Sequence, residues 1–510
     1  YTNAYTFRNT LQYTGEYAGK HYISLFAGQE IQERTAYNSF NYSPVFDEEH
    51  RIVGFPEMDG IDGSEINYNA LGGTGKSVSK MSSFFANASY SYLDKYILTG
   101  ALRYDGSDII GNDNQFTPLW NVGLRLNLHR EEFMKRWMWV DQFAVRGGFG
   151  YTGSIDKNAL PFVVMTLGQS VIYDGQTVPT SFSYPNPNVK WQTKQDMNVG
   201  LDLSLFDYRL ELGVNYYNNI TRDVLDRKAL PYSSGRSEVT ENVADIYNSG
   251  WEIDLGVTLL KNKSFQWYAK ANIAINDNKV KNTYYKDTED LPRATLSNAH
   301  QFVENQPVNG WYGYKFAGIN PINGAVMTYT GNGEATLDMS VSGATWPTPS
   351  VFYLGNLTPP VVGGFSTSAN WKQLIFSANF EFKTGHKIKS FNTFRSLDAR
   401  NRHTSEANRW REPGDITNVP AMSEAFTTYS SYMYDILLEK GNYLRCSYMT
   451  LGYNLKPEWL HKIGFSTARL SFTAKNLFTI SSYSGIDPAL MGSFGYPNSR
   501  KYTITLNVGF

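Results

Sequence analysis

The chain has 510 residues and a formal net charge of -1, a balance that gives no sign of a nucleic-acid partner. Its single cysteine, Cys446, excludes a disulfide framework and a cysteine-based metal site. The mean hydropathy is -0.40, and no run approaches the roughly 18 consecutive apolar residues that a membrane-spanning helix needs.

The first part of the chain reads as strands joined by turns of unequal length. A hairpin is predicted around the short turn at 15–20, and a long polar stretch follows at 38–79. A second long stretch, 153–188, is rich in Pro, Gly, Ser and Asn. The predicted strands of this part cover residues 4–14, 21–37, 81–93, 96–105, 116–128 and 143–152.

The middle of the chain alternates apolar and polar residues with a period of two, over segments of about ten residues. That is the length a tilted strand needs to cross a bilayer, because only alternate residues of such a strand meet lipid. The pattern predicts lipid-facing side chains at Leu210, Leu212, Leu255, Val257 and Ile273. It predicts lumen-facing side chains at Glu211, Glu252, Asp254 and Asn272.

The last ten residues, KYTITLNVGF, form the most regular strand. Tyr502, Ile504, Leu506, Val508 and Phe510 fall on one side, and polar or small residues fall on the other. A strand of this kind must be paired along both edges, and closure into a barrel removes both edges. The sequence therefore predicts an all-β fold, a transmembrane antiparallel β-barrel.

The connections between these strands alternate between short and long. The short ones are 15–20, 93–95, 206–208, 261–263 and 371–374. The long ones are 38–79, 153–188, 226–242, 279–310, 331–360, 387–436 and 481–499. Outer-membrane barrels show this asymmetry, with short periplasmic turns and long extracellular loops. A soluble sandwich or propeller, the competing interpretation, predicts no such bias between the two ends.

The pattern gives about seventeen strands, of which 311–330 is the weakest. With a periplasmic C-terminus, the first and the last strand of the chain both run inward, so we expect an odd number of strands before Tyr1. Five further strands would make about twenty-two, the size of plugged outer-membrane transporters.

Several stretches resemble the SusC/RagA-like family of TonB-dependent outer-membrane transporters. They are collinear and extend over nearly the whole chain. They read RYDGS at 103–107, FAVRGGFGYTG at 143–153, LGNLTPPVVGGFSTS at 354–368, NRWREPGDITNVP at 408–420, YLRCSYMTLGYNL at 443–455 and NLFTISSYSGIDP at 476–488. The resemblance fits the C-terminal portion of such a protein, so residues 1–510 are expected to be barrel strands and loops. The plug domain, the TonB box and the first strands have no counterpart in this chain.

The resemblance implies import across a bacterial outer membrane. It implies a SusD-like surface lipoprotein that closes the top, energy supplied by TonB through the plug region, and an oligosaccharide or oligopeptide cargo. The long loops would be extracellular, beside the lipopolysaccharide leaflet, and the C-terminus periplasmic. The alternative is a non-transporting barrel that serves as a scaffold in a larger outer-membrane assembly. An enzyme is not expected, because no nucleophile–base pair is visible.

Two long loops rich in aromatic and arginine residues are the candidate binding elements, because aromatic faces stack on sugars and guanidinium groups bind carboxylates. Loops 331–360 and 387–436 are predicted to form an outer rim that contacts the lipoprotein. The alternative for any one of these residues is a structural role in loop packing or in an interfacial girdle. The candidate ligand or partner contacts are Trp346, Tyr353, Arg400, Arg402, Arg409, Trp410 and Arg411.

No cofactor or metal site is predicted. The seven histidines do not cluster at ligand spacing, and a lone loop histidine such as His386 is expected to be solvated. The TYTGNGEATLD stretch at 328–338 lacks the regular carboxylate spacing of a calcium loop. Cys446 lies within a predicted strand, where a small packed side chain is expected.

Overall fold

The computed structural model describes the chain except residues 42–44, 47–51, 55–71, 109, 111–114, 155–164, 174–175, 183–189, 230–232, 234–237, 285, 289–301, 338–349, 391–406, 422–433, 461–463 and 492–494. Its dominant feature is one antiparallel sheet of sixteen strands. Strands are numbered β1 to β27 in chain order. Those of the main sheet are β1 (Thr2–Tyr17), β2 (His21–Asn41), β5 (Gly72–Tyr92), β6 (Tyr96–Ser107), β7 (Phe116–Asn127), β8 (Val140–Ser154), β11 (Gln192–Leu205), β12 (Leu210–Ala229), β13 (Glu238–Lys261), β14 (Phe265–Lys281), β20 (Val361–Trp371), β21 (Leu374–Thr384), β24 (Tyr443–Asn454), β25 (Thr467–Lys475), β26 (Thr479–Ser481) and β27 (Lys501–Gly509).

Apart from β26, each strand of the main sheet pairs with the next one along the chain, so the sheet is a meander without crossovers. Fifteen strands follow one continuous order, and β26 extends the line of β25 by pairing with the first residues of β24. The all-β class predicted from the sequence is confirmed. The count differs slightly from about seventeen, because segment 311–330 belongs to separate small sheets.

The small sheets lie in the connections. They are formed by β3 (Val45–Phe46) with β4 (Ile52–Gly54), β9 (Met165–Tyr173) with β10 (Gln176–Phe182), β15 (Gly310–Gly313) with β19 (Phe352–Asn356), β16 (Phe316–Ile319) with β17 (Val326–Tyr329) and β18 (Ala335–Leu337), and β22 (Lys387–Lys389) with β23 (Leu438–Lys440). Among the described residues, the structure also has an α-helical turn, Pro457–Leu460, and 3₁₀ turns at Leu128–Arg130, Met134–Arg136, Asp435–Leu437 and Pro488–Leu490. None of the described helices is both long enough and apolar enough to span a membrane.

The register places the apolar residues of neighbouring strands beside one another. Leu212 pairs with Leu255, Leu255 pairs with Ala271, and Ile253 pairs with Ile273. The alternate residues form polar rows, in which Gly213 pairs with Asp254. The grouping into two faces predicted from the period-two pattern is therefore confirmed. In a family of outer-membrane barrels the apolar face is the one that meets lipid.

Aromatic residues mark two levels on the apolar face. The Trp251 ring packs at a tilt against Tyr216, with 4.9 Å between ring centroids, and Trp251 pairs with Ile275 of β14. Trp267 lies eight residues before Ile275 on β14, close to Ala369 of β20. At the usual rise and tilt of barrel strands, this spacing separates the two levels by roughly 20–25 Å, the height of an apolar band between aromatic girdles.

The polar face carries ion pairs both within a strand and across strands. Arg103 Nε lies 2.6 Å from Asp105 Oδ1, and Arg125 Nη1 lies 3.0 Å from Asp202 Oδ2. Arg146 approaches the same Asp202 carboxylate from β8 at 3.5 Å. Apart from the buried Asp105, these side chains keep partial exposure, which is the behaviour of the wall of a water-accessible lumen rather than of a lipid-facing surface.

The two ends of the main sheet differ as the sequence predicts. At one end the strands are joined by 18–20, 93–95, 128–139, 206–209, 262–264, 372–373 and 455–466. At the other end lie 42–71, 108–115, 155–191, 230–237, 282–360, 385–442 and 476–500. The first turn is shorter than the predicted 15–20, because β1 continues to Tyr17. The alternation is confirmed for most connections, but 128–139 and 455–466 at the short end have 12 residues each, whereas 108–115 and 230–237 at the long end have 8 each.

Candidate functional site

The long connections 282–360 and 385–442 fold together into a compact unit at one end of the main sheet. We call this unit the loop cap and define it as residues 302–337, 350–360, 407–421 and 434–442. It has its own hydrophobic core, to which all these segments contribute. The core contains Val303, Tyr312, Tyr314, Ile319, Val326, Val351, Tyr434 and Leu437, with Phe316, Tyr353, Trp410 and Ile436 packed against it.

Hydrogen bonds join the two connections within the loop cap. Tyr314 forms a parallel bridge with Tyr434, whose side chain is fully buried. The Asp435 backbone N–H donates to Tyr314 O over 3.0 Å, and the Phe316 N–H donates to Asp435 Oδ1 over 2.9 Å. Trp311 Nε1 donates to Lys387 O over 2.9 Å. Residues more than seventy positions apart in sequence are therefore held in one unit.

The last connection, 476–500, is fastened to the same unit. The Tyr483 hydroxyl donates to Lys389 O over 3.1 Å, and the Ser484 hydroxyl donates to Glu439 Oε1 over 2.6 Å. Within the same connection, Asp487 forms a buried ion pair with Arg445 of β24. Arg445 Nε also donates to Thr479 Oγ1 over 3.1 Å, so one guanidinium ties β24 to two parts of this connection.

Trp410 packs inside the loop cap. Its Nε1 donates to Pro321 O over 3.1 Å, and its ring lies against Gly324, where an added Cβ would come within 2.5 Å of Trp410 Cε3. Gly324 has φ +71°, a left-handed conformation that L side chains rarely adopt. Both the conformation and the close contact with the Trp410 ring therefore require glycine at this position.

The residues on either side of Trp410 hold the local backbone. Arg409 forms a parallel bridge with Val419. The Arg411 N–H donates to Asp415 Oδ2 over 2.9 Å, and the Arg411 guanidinium donates to Ala407 O over 2.9 Å. These contacts shape a turn whose tip, Ile416, is 97% exposed.

Ile416 has an exposed apolar neighbour on an adjoining turn. Ile322 is 75% exposed, and the Gly414 N–H donates to Pro321 O over 2.8 Å, which links the two turns. The two turns therefore present two exposed apolar side chains on one linked part of the loop cap. We call Ile322 and Ile416 the apolar tips.

A polar cavity of about 490 Å³ lies between the loop cap and the loop end of β13 and β14. We call it the amide cavity, because most of its polar lining is asparagine. It is lined by Ile246, Asn248, Asn276, Asp277, Asn278, Lys279, Asn305, Pro307, Val308, Asn309, Tyr353, Asn356, Thr358, Pro359 and Pro360. Its volume lies within the range of about 300–1,000 Å³ that is usual for ligand pockets.

A chain of hydrogen bonds fixes how the asparagines are oriented. The Val308 backbone N–H donates to Asn278 Oδ1 over 2.7 Å, and Asn278 Nδ2 donates to Asn248 Oδ1 over 2.6 Å. Because a backbone N–H can only donate, the atom of Asn278 that faces Val308 must be its oxygen. The orientation of Asn248 follows from that of Asn278.

Tyr353 supplies the aromatic wall of the amide cavity. Its hydroxyl donates to Asn356 Oδ1, and its ring lies 5.9 Å from that of Tyr312, centroid to centroid. Burial raises the pKa of the Tyr353 phenol to about 12. The hydroxyl therefore stays protonated at neutral pH and remains a hydrogen-bond donor to Asn356.

Comparison with known families decides the identity of this chain. The family described as "TonB dependent receptor-like, beta-barrel" matches residues 1–381. The chain belongs to that family.

Curated relatives of this TonB-dependent receptor barrel cover nearly the whole chain. TonB-dependent receptor P3 of Formosa agariphila is 28% identical over 98% of this chain and 52% of its own length. TonB-dependent receptor SusC of Bacteroides thetaiotaomicron is 23% identical over 84% of this chain and 43% of its own length. The chain thus spans about half the length of the curated relatives it matches. The resemblance to SusC/RagA-like proteins inferred from the sequence motifs is confirmed.

Solved structures share the fold of this receptor barrel. The RagAB peptide importer in its open-open state covers all of this chain and 55% of its own, with a TM-score of 0.79 and 24% identity. The closed-closed state of RagAB gives a TM-score of 0.77 at 23% identity. The fold is therefore that of outer-membrane β-barrel transporters.

The structure brings some of the predicted site residues together and separates others. Tyr353 lines the amide cavity, whereas Trp410 packs against Pro321 and Gly324. Arg409 and Arg411 flank the turn that carries Ile416. Their predicted contact with a partner stays a prediction. Trp346, Arg400 and Arg402 lie outside the described residues.

Two single residues can be compared with their sequence-based expectations. Cys446 is buried in β24 as a small packed side chain, which confirms the expectation. His386 is only 3% exposed, so the expectation of a solvated loop histidine is wrong. Its ring fills the space beside Gly441, where an added Cβ would come within 2.4 Å of His386 Nε2. Burial, with a smaller effect from Lys383, lowers the pKa of His386.

Sequence reasoning missed the amide cavity and the apolar tips. Asn248, Asn276 and Asn278 are visible in the sequence only as polar positions of alternating strands. Their partners in the loop cap lie about thirty residues or more away, as with Val308 and Asn278. In the part of the chain that the structure describes, no three His, Cys, Asp or Glu side chains come together in a way that could hold a metal ion.

Proposed function

We propose that this chain forms the barrel strands and outer loops of a transporter that imports oligosaccharides or oligopeptides across the outer membrane. Energy would come from TonB, acting through a plug domain outside residues 1–510, and a SusD-like surface lipoprotein would close the loop end. The observation that carries the proposal is membership of the TonB-dependent receptor family together with an ordered loop cap above a polar-faced sheet.

The loop cap supports a role in binding. A barrel needs only short connections for folding, as the opposite end of this sheet shows, and long ordered loops usually serve recognition. Predicted loop 331–360 contributes β18 and β19 to the cap, and predicted loop 387–436 contributes Trp410, Tyr434 and Ile436 to its core. The named neighbour of the same fold, RagAB, is a peptide importer.

Within this proposal the lipoprotein contacts the apolar tips. Trp410, Arg409 and Arg411 then act by holding the turn of Ile416 in place, because Trp410 is packed against Gly324 and Pro321. Removing residues 387–436 would also delete β22 and the buried Tyr434, so point variants test the rim more cleanly than a deletion.

The test uses the whole transporter expressed with the lipoprotein encoded beside it. Ile322→Glu with Ile416→Glu should reduce copurification of the lipoprotein by about tenfold or more, because two exposed apolar anchors become charged. The matched control, Ile322→Leu with Ile416→Leu, keeps the apolar area and should retain the partner. Full recovery of the lipoprotein with the charged pair would contradict the assigned rim.

A parallel measurement separates import from the scaffold alternative. Cells that carry the intact gene should take up labelled oligosaccharide or peptide, and uptake should stop when TonB is depleted. A barrel that assembles with its lipoprotein but gives no TonB-dependent uptake of either cargo would support the scaffold alternative.

A further inference from the structure

We propose that the amide cavity binds a neutral oligosaccharide. The inference rests on the proposed import function and names the cargo class and its contact site in this chain. It begins from the position of the cavity. Asn248, Asn276 and Asn278 lie on the polar face of β13 and β14, at the end where the loop cap begins. A cargo passing from the cap toward the interior would meet these residues.

The cavity lining carries hardly any free charge. Its two charged residues, Asp277 and Lys279, pair with each other, with Lys279 Nζ 2.7 Å from Asp277 Oδ2. The remaining polar side chains are amides and hydroxyls. A charged ligand would leave water without gaining an opposite charge here, which is unfavourable, whereas a neutral ligand carries no such cost.

Three amide groups offer hydrogen-bond donors. The Oδ1 atoms of Asn248, Asn276 and Asn356 accept hydrogen bonds from Asn278 Nδ2, the Tyr217 hydroxyl and the Tyr353 hydroxyl. Among the described residues, no group accepts a hydrogen bond from the Nδ2 atom of any of these three asparagines. The intramolecular network thus uses the oxygens and leaves three NH₂ groups for a ligand that accepts hydrogen bonds, as sugar hydroxyl and ring oxygens do.

Tyr353 and the prolines supply the apolar part of the lining. The Tyr353 ring is held by its bond to Asn356 and by contact with Tyr312 and Gly310, so it is a preformed platform. Pro307, Pro359 and Pro360 have fixed φ and no N–H, which makes them rigid walls without donors. A flat ring with C–H groups on its faces and hydroxyls at its edges fits this arrangement.

An oligopeptide is the less suitable ligand. Its charged termini and charged side chains would leave water without meeting a free opposite charge in the cavity, because Asp277 and Lys279 pair with each other. Peptide binding is therefore kept as an outcome of the test rather than as part of the proposal.

The experiment uses the complete transporter, purified with its lipoprotein, and isothermal titration with defined probes. The probes are maltohexaose, cellohexaose and mannohexaose, with a tryptic digest of casein as the peptide arm. We expect at least one hexasaccharide to bind. Asn276→Asp should weaken that binding about tenfold, because it replaces the NH₂ donor with oxygen but keeps the acceptor for Tyr217.

Tyr353 provides a second, matched pair of variants. Tyr353→Phe keeps the ring and loses only the bond to Asn356, so binding should fall about threefold or less. Tyr353→Ala removes the platform and should weaken binding about tenfold or more. Glu334→Gln, on an exposed turn of the loop cap, should leave binding unchanged and reports on general damage to the cap.

The outcomes separate this inference from the proposed import function. Binding of casein peptides alone, or hexasaccharide binding that is equal in Asn276→Asp and Tyr353→Ala, would overturn the amide cavity as a sugar site while import stands. Binding of no hexasaccharide also counts against it. Loss of TonB-dependent uptake in the intact strain would instead contradict the proposed function itself.

Discussion

Alternate side chains of β12, β13 and β14 meet two different surroundings, and a charge placed on each face tests this division. Leu255 lies on the apolar face between Leu212 and Ala271, whereas its neighbour Asp254 lies on the polar face beside Gly213 and Asn272. Leu255→Arg should lower the free energy of unfolding in lipid vesicles by about 2–4 kcal/mol near the bilayer midplane.

Asp254→Arg is the matched control for this substitution. It introduces the same side chain one residue away, on the face where water and other polar groups can solvate it, so its cost should be much smaller. Urea titration of the whole transporter in vesicles measures both values. Equal costs for the two variants would mean that the assignment of the faces is wrong.

The buried ion pair Arg445–Asp487 makes a second prediction for single residues. Both side chains are less than 8% exposed, and Glu381 approaches Arg445 only at 3.8 Å. Asp487→Asn would leave the guanidinium without its main partner, and breaking a buried pair typically costs about 3–5 kcal/mol. Hydrogen exchange in residues 476–490 should therefore become much faster than in the native protein.

A surface pair provides the comparison for the buried one. Lys135 and Glu132 lie 2.7 Å apart with both side chains mostly exposed. Glu132→Gln should leave hydrogen exchange unchanged throughout the protein, because water screens such pairs. Unchanged exchange in 476–490 after Asp487→Asn would show that the ion pair does not fasten the last connection.

At the scale of elements, β22 and β23 meet beside the buried His386. The Gly441 N–H donates to His386 O over 3.0 Å, and the His386 ring packs on Gly441. Because burial lowers the pKa of His386 in the folded state, the neutral ring contributes stability above the unfolded pKa of about 6.5. This stability is lost as pH falls below that value toward the folded pKa.

We therefore expect the β22–β23 pairing to open more often at pH 5 than at pH 7.5. Hydrogen exchange of residues 438–442, corrected for the intrinsic pH dependence of exchange, measures this opening. In His386→Gln the side chain cannot titrate, so the extra opening at pH 5 should disappear. The same acid sensitivity in both proteins would assign the effect to other groups.

The elements also show how far sequence reasoning reaches. Strands such as β13 and β27 were predictable because each residue reports its face through simple alternation, which depends only on local geometry. The loop cap was not, because its strands are three to five residues long and pair across large gaps, as with Tyr314 and Tyr434. Its core is defined by tertiary packing, which leaves no periodic signal.

Within the candidate site, too, a residue could be predicted from the sequence only where its role does not depend on tertiary packing. Tyr353 could be proposed from residue type and loop position alone. The packing of Trp410 could not, because it depends on the left-handed backbone of Gly324, more than eighty residues earlier in the chain. The orientation of Asn248 likewise depends on the Val308 N–H through Asn278.

For the whole molecule, the difference between the two ends of the sheet predicts a fixed direction in the membrane. Cysteine labelling can measure it with little background, because Cys446 is fully buried. Glu412→Cys lies on an exposed turn of the loop cap, and Lys20→Cys lies on an exposed short turn at the opposite end. A membrane-impermeant maleimide applied to intact cells should label position 412 and leave position 20 unlabelled.

Lysed cells provide the control, because both positions should react once the outer membrane is broken. Labelling of position 20 alone in intact cells would reverse the predicted direction. Equal labelling of both positions in intact cells would contradict a transmembrane arrangement of the strands between them.

The period-two alternation of the main sheet also bears on how such a chain reaches its membrane. A bacterial outer-membrane protein must first pass through the inner membrane as an unfolded polypeptide, and a long apolar stretch would be retained there as a helix. In β11, Leu201 and Leu203 alternate with Asp202 and Ser204, so the strand contains no long apolar run. The apolar surface comes into existence only when the strands pair, after export is complete.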